Sequence, residues 1–397
     1  MVPDSFSSAE KILEKLEMNG YKAYFVGGAV RDLLLGRKVG DIDITTSARP
    51  EEVQALFHKV IPVGIEHGTV IVRMDGESFE TTTFRVEAGY SDFRHPDRVG
   101  YVDNIEEDLS RRDFTINAMA MDRRGNIIDP FRGRDDIESG LIQTVGQPVE
   151  RFQEDPLRMM RAVRFCSQLG FSIEQTTLHA LQAQAPLLKN IAVERIAVEL
   201  EKMFQGSNVR EGAGLLKQSG LTEYFPVFSN NQSFINQLAE TAVPLSSFRE
   251  MLCFFVEVLP AVPVDDWVKE WKLSNRVGRE AKLLSTLLRQ SRRHGIGPWL
   301  VYQLPGEMIP GFASLYSLLV GSITERELRR LKEGLPIKDR KQLSINGNDL
   351  VDMYPERKKG AWIKECLDTI ERYVVTGEIS NNKQDIKEWI RNHDHTK

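Results

Sequence analysis

Asp41 and Asp43 are separated by a single residue where a strand is expected to begin. Side chains on a strand alternate between faces, so both carboxylates point the same way. Two carboxylates side by side repel each other and resist burial. A divalent cation relieves that conflict. Hard oxygen ligands suit Mg²⁺, which keeps some waters and also takes substrate phosphates. Upstream, Gly27 and Gly28 form a turn leading to a short helix with Arg31 and Asp32. A turn without side chains lets backbone N–H groups approach a triphosphate. Together these residues imply metal-assisted nucleotidyl transfer. Glu80, in the segment FETTTFR, is either a third carboxylate of the site or a solvated strand residue.

Two further groups carry chemistry. Arg111, Arg112, Asp113 and Asn117 are expected on a helix that begins near Glu106. Arginines in the opening turns of a helix sit at the positive end of its dipole. Facing a triphosphate would compensate, because an Arg fork matches phosphate oxygens. The plainer alternative is an ion-pair network with Glu107 and Asp108. Glu154 and Asp155 precede Arg158, Arg161 and Arg164. Asp155, Arg158 and Arg161, at three-residue spacing, are expected to form a ridge along one helix. An Asp acceptor beside an Arg donor satisfies the Watson–Crick edge of cytosine or adenine. Guanine and uracil present the opposite pattern there, and each mismatch leaves a polar group unpaired, at about 1–3 kcal/mol. Such a helix could select C and A without a template. Its plainer alternative is a surface Asp–Arg salt bridge.

The positioning elements follow from periodicity. Residues 8–18 read as a helix with Ala9, Ile12, Leu13 and Leu16 on one face. Tyr21–Val26 and Asp41–Thr45 read as strands, with a helix at 29–35 between them, and Pro50 starts another helix. Thr69–Met74 and Ser78–Arg85 alternate about Asp75-Gly76, a hairpin signal. The polar stretch 87–104 shows little periodicity and reads as a long functional loop. Beyond about residue 150 the pattern turns helical. The first such helix is expected over 154–170, with Pro156 in its first turn.

Composition narrows the class. The 397 residues exceed one ordinary core, so two to four domains are expected. Of these residues 41% are hydrophobic and 27% charged, and no apolar run has membrane-spanning length. The acidic, amphipathic N-terminal segment does not read as a secretory signal. Cys166, Cys253 and Cys366 form neither a zinc pattern nor a disulfide framework, as expected in a reducing cytoplasm. A net charge of −5 means that any nucleic-acid surface must be local. The best local patch is 272–293, with seven basic residues and one acidic. A solvated helix face is its alternative. His393-Asp394 has the look of a metal pair but lacks upstream partner histidines, and reads as tail.

The motifs occur in a fixed order: GGAVRD, GDID, the TFR strand, RHP, EDLSRRDFTINA, DPFRGRDDI, EDPLRMMRAVRF and ERIAVELEK. In that order the chain resembles class II tRNA nucleotidyltransferases of the bacillus type, the CCA-adding enzymes of the polymerase-β-like superfamily. The resemblance is dense over residues 20–205 and looser to the end. It implies an α+β fold, with a mixed-sheet nucleotidyltransferase head followed by an all-α neck, body and tail. The implied ranges are 1–146, 147–206, 207–295 and 296–397. It implies that Asp41 and Asp43 hold Mg²⁺ and that Gly28, Arg31 and Arg112 contact the triphosphate. Asp155 and Arg158 would read the base, with Arg161 and Arg164 supporting the nucleotide. The implied partners are CTP, ATP and a tRNA lacking all or part of its 3′ CCA, in the cytoplasm and away from membranes; a homodimer is left open. Addition of A alone is an alternative activity. Addition of C alone is disfavoured by the intact segment with Asp92, Arg94, His95 and Pro96. A poly(A) polymerase is expected to carry a longer basic C-terminal region. A catalytically dead tRNA-binding protein would not need intact carboxylates and arginines.

Overall fold

The computed structural model describes residues 3–393. The chain divides into two compact units, Met1–Pro244 and Leu245–Lys397. In the first unit, α1 (Ser7–Met18) buries Ala9, Ile12, Leu13 and Leu16 completely, the face expected from their spacing. Then come β1 (Ala23–Val26), α2 (Gly28–Leu34), β2 (Asp43–Thr46), α3 (Pro50–Leu56) and β3 (Val60–Ile61). Strands β4 (Thr69–Met74) and β5 (Glu77–Thr83) form the expected hairpin. Its turn residues, Asp75 and Gly76, both have positive φ, as a tight two-residue turn requires.

The polar stretch after β5 is not a loop throughout. It forms a two-stranded antiparallel ribbon, β6 (Arg85–Ala88) with β7 (Arg98–Tyr101), closed by residues 89–97. The ribbon has little apolar surface to bury, so no alternation marked it. The chain continues through α4 (Ile105–Ser110), β8 (Ala120–Met121), β9 (Ile127–Ile128) and α5 (Gly133–Ser139).

The main sheet is seven-stranded, in the order β3-β4-β5-β2-β1-β8-β9. Strands β2 and β5 pair in parallel and the other neighbours antiparallel. Phe25 joins the core under α1, whereas its neighbour Val26 joins a second cluster with Phe84, Leu109 and Ala120. Strand β1 is therefore buried on both faces, which fixes its register and the position of the turn after it.

The expected helix over 154–170 is two helices. α6 (Pro148–Glu154) ends before Asp155, and α7 (Leu157–Leu169) starts after Pro156. Proline disfavours helical backbone at the preceding residue, and Asp155 is extended, with φ −140°. Helices α8 (Gln175–Gln184), α9 (Val193–Phe204), α10 (Val209–Ser219) and α11 (Gln232–Thr241) complete the unit. A short parallel pair, Leu141–Ile142 with Ser172–Ile173, ties the head region to this helical part.

The second unit is helical, beginning with α12 (Phe248–Val258), α13 (Val264–Glu270) and α14 (Asn275–His294). The basic stretch on α14 is largely ion-paired. Arg289 and Arg292 meet Glu257, Lys282 meets Asp265, and Arg276 meets Glu280. In the last helix, the His393 ring stacks on Trp389 at 4.5 Å. Asp394 lies outside the described residues. No helix among the described residues is long and apolar enough to cross a membrane.

Candidate active site

The register of the sheet assembles the acidic group. Ile44 pairs with Thr81 in the parallel β2–β5 ladder, so the preceding residues, Asp43 and Glu80, lie side by side. On the other edge of β2, Asp43 pairs with Val26, the last residue before Gly27. Asp41 is not in the strand, which starts at Asp43; it sits in a bend ahead of it, exposed. The two aspartates nevertheless remain neighbours. Burial first, then the charge of Glu80, pushes the Asp43 carboxyl up to about 6, with Asp41 adding to the rise and Arg112 opposing it. A hard divalent cation fits a site where neighbouring negative charge raises the proton affinity of a half-buried carboxylate. Among the described residues no three His, Cys, Asp or Glu side chains form a ready-made metal cage. Two carboxylates that leave positions for water and phosphate are the usual arrangement for Mg²⁺.

Gly27 separates the acidic and basic halves. Its φ is +69°, and a Cβ there would lie 3.2 Å from Arg112 Nη1 and 3.9 Å from Asp43 Oδ2. Glycine is needed both for the backbone angle and for the close approach. Next to it, a Cβ on Gly28 would lie 3.6 Å from Arg31 Nη2.

The two arginines of the RRD segment are not in the opening turns of a helix, as expected from sequence. Helix α4 ends at Ser110, and they follow its C-terminus, where positive charge is favoured. They also part ways. Arg111 donates to Asp108 Oδ1 (2.9 and 3.1 Å) and to Glu87 Oε1 (3.1 Å), so its guanidinium is bound up in a network with these two acids. Arg112 makes one 3.4 Å bond to Asp108, and its buried Nε has no partner. Asp113 accepts from Arg161 at 2.6 and 2.7 Å and from the Asn117 amide at 3.1 Å. Burial raises its carboxyl, but Arg161, Asn117 and Arg158 outweigh burial and hold it well below the usual range. Asn117 in turn accepts from Arg31 Nη1 at 2.7 Å. A continuous polar chain thus runs from Arg31 through Asn117 and Asp113 to Arg161.

The expected Asp155–Arg158–Arg161 ridge on one helix is not formed, because Asp155 lies in the break between α6 and α7. Asp155 accepts from Leu157 N at 3.1 Å and from Arg195 of α9 at 3.2 and 3.3 Å. Arg158 instead pairs with Glu154 (2.5 Å) and donates to the Arg151 and Arg111 carbonyls, both at 3.2 Å. Glu154 also receives Arg151 at 2.9 Å. Arg164 pairs with buried Glu199 at 3.1 Å, and its Nε has no partner. Burial, then the neighbouring Arg161 charge, lowers the Arg164 guanidinium to about 10. The ribbon reaches this region too. The Tyr90 hydroxyl donates to Glu87 at 2.6 Å and feels the charges of Arg158 and Glu154.

Sequence reading assigned nothing to Arg195, Glu199 or Phe165. The first two stand in ERIAVELEK, four residues apart on α9 and so on one face; that spacing was the available signal. Phe165 follows Arg164 directly and gave no signal of its own.

The mixed sheet with its acidic strand edge defines a nucleotidyltransferase head. Residues 23–143 match the Poly A polymerase head domain family. Residues 170–231 match the probable RNA and SrmB-binding site of polymerase A, and 250–390 the putative tRNA nucleotidyltransferase domain 2. The CCA-adding enzyme of Oceanobacillus iheyensis is 46% identical over 392 residues, 98% of each chain. That of Geobacillus kaustophilus is 44% identical over 404 residues, covering 99% of this chain and 98% of its own. The crystal structure of the Bacillus stearothermophilus CCA-adding enzyme in complex with CTP superposes with a TM-score of 0.89 at 40% identity, covering 100% of this chain and 99% of that one. The chain belongs to the CCA-adding enzymes, a family of tRNA nucleotidyltransferases.

Proposed function

We propose that the protein adds C, C and A, without a template, to the 3′ end of tRNA from CTP and ATP, releasing pyrophosphate, and that it repairs damaged CCA ends in the cytoplasm. The carrying observation is the Asp43 carboxyl, pushed up to about 6 beside Glu80 and Asp41 and facing Arg112 across Gly27. Asp41 and Asp43 would hold Mg²⁺, with Glu80 beside them. When bound, a divalent metal pair lowers the proton affinity of the tRNA 3′-hydroxyl and neutralises charge on the α-phosphate. The Gly27-Gly28 turn admits the triphosphate close to the backbone, and Arg112, whose Nη1 lies beside that turn, offers it positive charge. Arg31, Arg161 and Arg164 supply positive charge around the nucleotide, so catalysis is largely alignment. Asp155 and Arg158 are the base-reading pair, and each must turn part of its hydrogen bonding from protein to base. A matching base compensates that exchange; guanine and uracil do not.

The proposed ranges are a head at 1–146, a neck at 147–206, a body at 207–295 and a tail at 296–397. The body and tail would grip the tRNA. The test uses a tRNA ending at its discriminator base, with CTP alone, ATP alone, or both. Two C residues from CTP alone and a complete CCA from both are expected. Incorporation of A onto tRNA ending in CC, without any C addition, would replace this reading by A-addition. Asp41→Ala should abolish incorporation while tRNA binding survives; continued turnover would overturn the metal assignment.

A further inference from the structure

Phe165, 3% exposed on α7, is surrounded by three guanidinium groups. Arg164 lies 4.3 Å from the ring centroid, Arg31 5.1 Å and Arg161 5.6 Å. The edge of the ring meets Phe114 at 5.8 Å, interplanar angle 87°. Arg31 comes from α2 of the head and the other two arginines from α7, so a single aromatic ring bridges two elements far apart in sequence. Three like charges at such distances repel one another. Each has an acidic neighbour that balances it: Asp32 for Arg31, Asp113 for Arg161 and Glu199 for Arg164. The carboxylates fix one edge of each guanidinium and the ring supports a face. An aromatic face attracts cations without consuming an N–H donor. The ring therefore holds the guanidinium groups without using up their donors, and the buried Nε of Arg164 has no hydrogen-bond partner at all.

We infer that Phe165 is a positioning residue, which holds Arg31, Arg161 and Arg164 as one array so that the triphosphate arginine of the head and the base-reading helix are set together. The inference rests on the reading of Arg31 as a triphosphate contact. Two routes then join Arg31 to α7: the polar chain through Asn117 and Asp113 to Arg161, and the ring itself. A change in how α7 meets the base is thereby felt at the triphosphate. A leucine or methionine at 165 fills much of the same space but offers no π face.

The full-length protein is assayed with CTP and a tRNA lacking its CCA, using Phe165→Leu, Phe165→Met, Arg31→Ala and the double variant Arg31→Ala/Phe165→Leu. Phe152→Leu, at a fully buried phenylalanine of α6, is the packing control. Phe165→Leu and Phe165→Met should raise KM for CTP about tenfold, with kcat within about threefold of the parent, while Phe152→Leu lowers thermal stability and leaves KM unchanged. The double variant should bind CTP no worse than Arg31→Ala. Unchanged KM in folded Phe165→Leu and Phe165→Met, or effects that multiply in the double variant, overturns the inference and leaves the triphosphate reading intact. Unchanged KM in Arg31→Ala removes the triphosphate reading itself, and this inference with it.

Discussion

Asp155 and Arg158 are three residues apart yet are held by different partners, Asp155 by Arg195 and Arg158 by Glu154 with two backbone carbonyls. The proposed base-reading pair is therefore prepared separately on its two sides. Each side chain is restrained before a nucleotide arrives, which reduces the freedom lost on binding.

Removing one side should relax selection. Arg158→Ala takes away the donor that cytosine and adenine satisfy, a loss of about 1–3 kcal/mol in discrimination, or roughly 5- to 150-fold. Incorporation of UTP and GTP relative to CTP should rise by a factor in that range. Unchanged selectivity in a competition assay would show that the base is read elsewhere. Arg195→Ala should also relax selection, more mildly, because it frees Asp155 without removing it.

Gly27→Ala tests the close approach. The backbone there has φ +69°, and the new methyl would press on the Arg112 guanidinium. With ψ −131° the residue lies in a positive-φ extended region that glycine alone enters readily, and alanine there costs about 1–3 kcal/mol in backbone strain. Incorporation should fall by at least tenfold, because the Arg112 guanidinium, 3.2 Å from the new methyl, must give way beside Asp43. Circular dichroism melting and single-turnover rates separate the two effects. A variant with parental rates would contradict the placement of the turn.

Part of this was legible in the sequence, and the remainder was not, for physical reasons. The α1 face and the Asp75-Gly76 turn follow from local spacing. The pairing of Asp41 and Asp43 was also legible, although the strand begins only at the second. What failed depended on distant partners. Arg111 is claimed by Glu87, 24 residues away, and Asp155 by Arg195, 40 residues away. The β6–β7 ribbon was missed because Arg85–Ala88 and Arg98–Tyr101 have no fully buried residue to set a pattern.

Asp43 gives a pH signature. Its folded value of about 6 lies above the ordinary 3.8, so folding favours the protonated form. Without metal, stability contributed by that proton is present below about pH 4 and is lost as pH rises through 6. Asp43→Asn should therefore melt higher than the parent at pH 7, by roughly 2–4 °C for each kcal/mol of relief. The gap should close near pH 4. Adding Mg²⁺ at pH 7 should stabilise the parent and not the variant, since a bound cation reverses the preference for the proton. Differential scanning calorimetry with and without Mg²⁺ checks both. A parent that melts above Asp43→Asn in chelator at pH 7 would refute the argument.

Arg111 and Arg112 are adjacent in sequence and should fail in different ways. Arg111 completes a network with fully buried Asp108 and with Glu87. Breaking a buried pair by deleting one partner leaves an uncompensated charge, at about 3–5 kcal/mol. Arg111→Ala should thus lower the melting temperature markedly, with KM for CTP changing little in the protein that remains folded. Arg112 has one long bond to Asp108 and an unpartnered Nε, and opposes the charge of Asp43. Arg112→Ala should leave stability nearly unchanged and weaken CTP use by about 10- to 100-fold, the scale of one charge-assisted hydrogen bond at about 1.5–3 kcal/mol. Melting curves and steady-state kinetics on the two variants give the comparison. If Arg111→Ala raised KM more than Arg112→Ala did, the roles given to the two arginines would have to be exchanged.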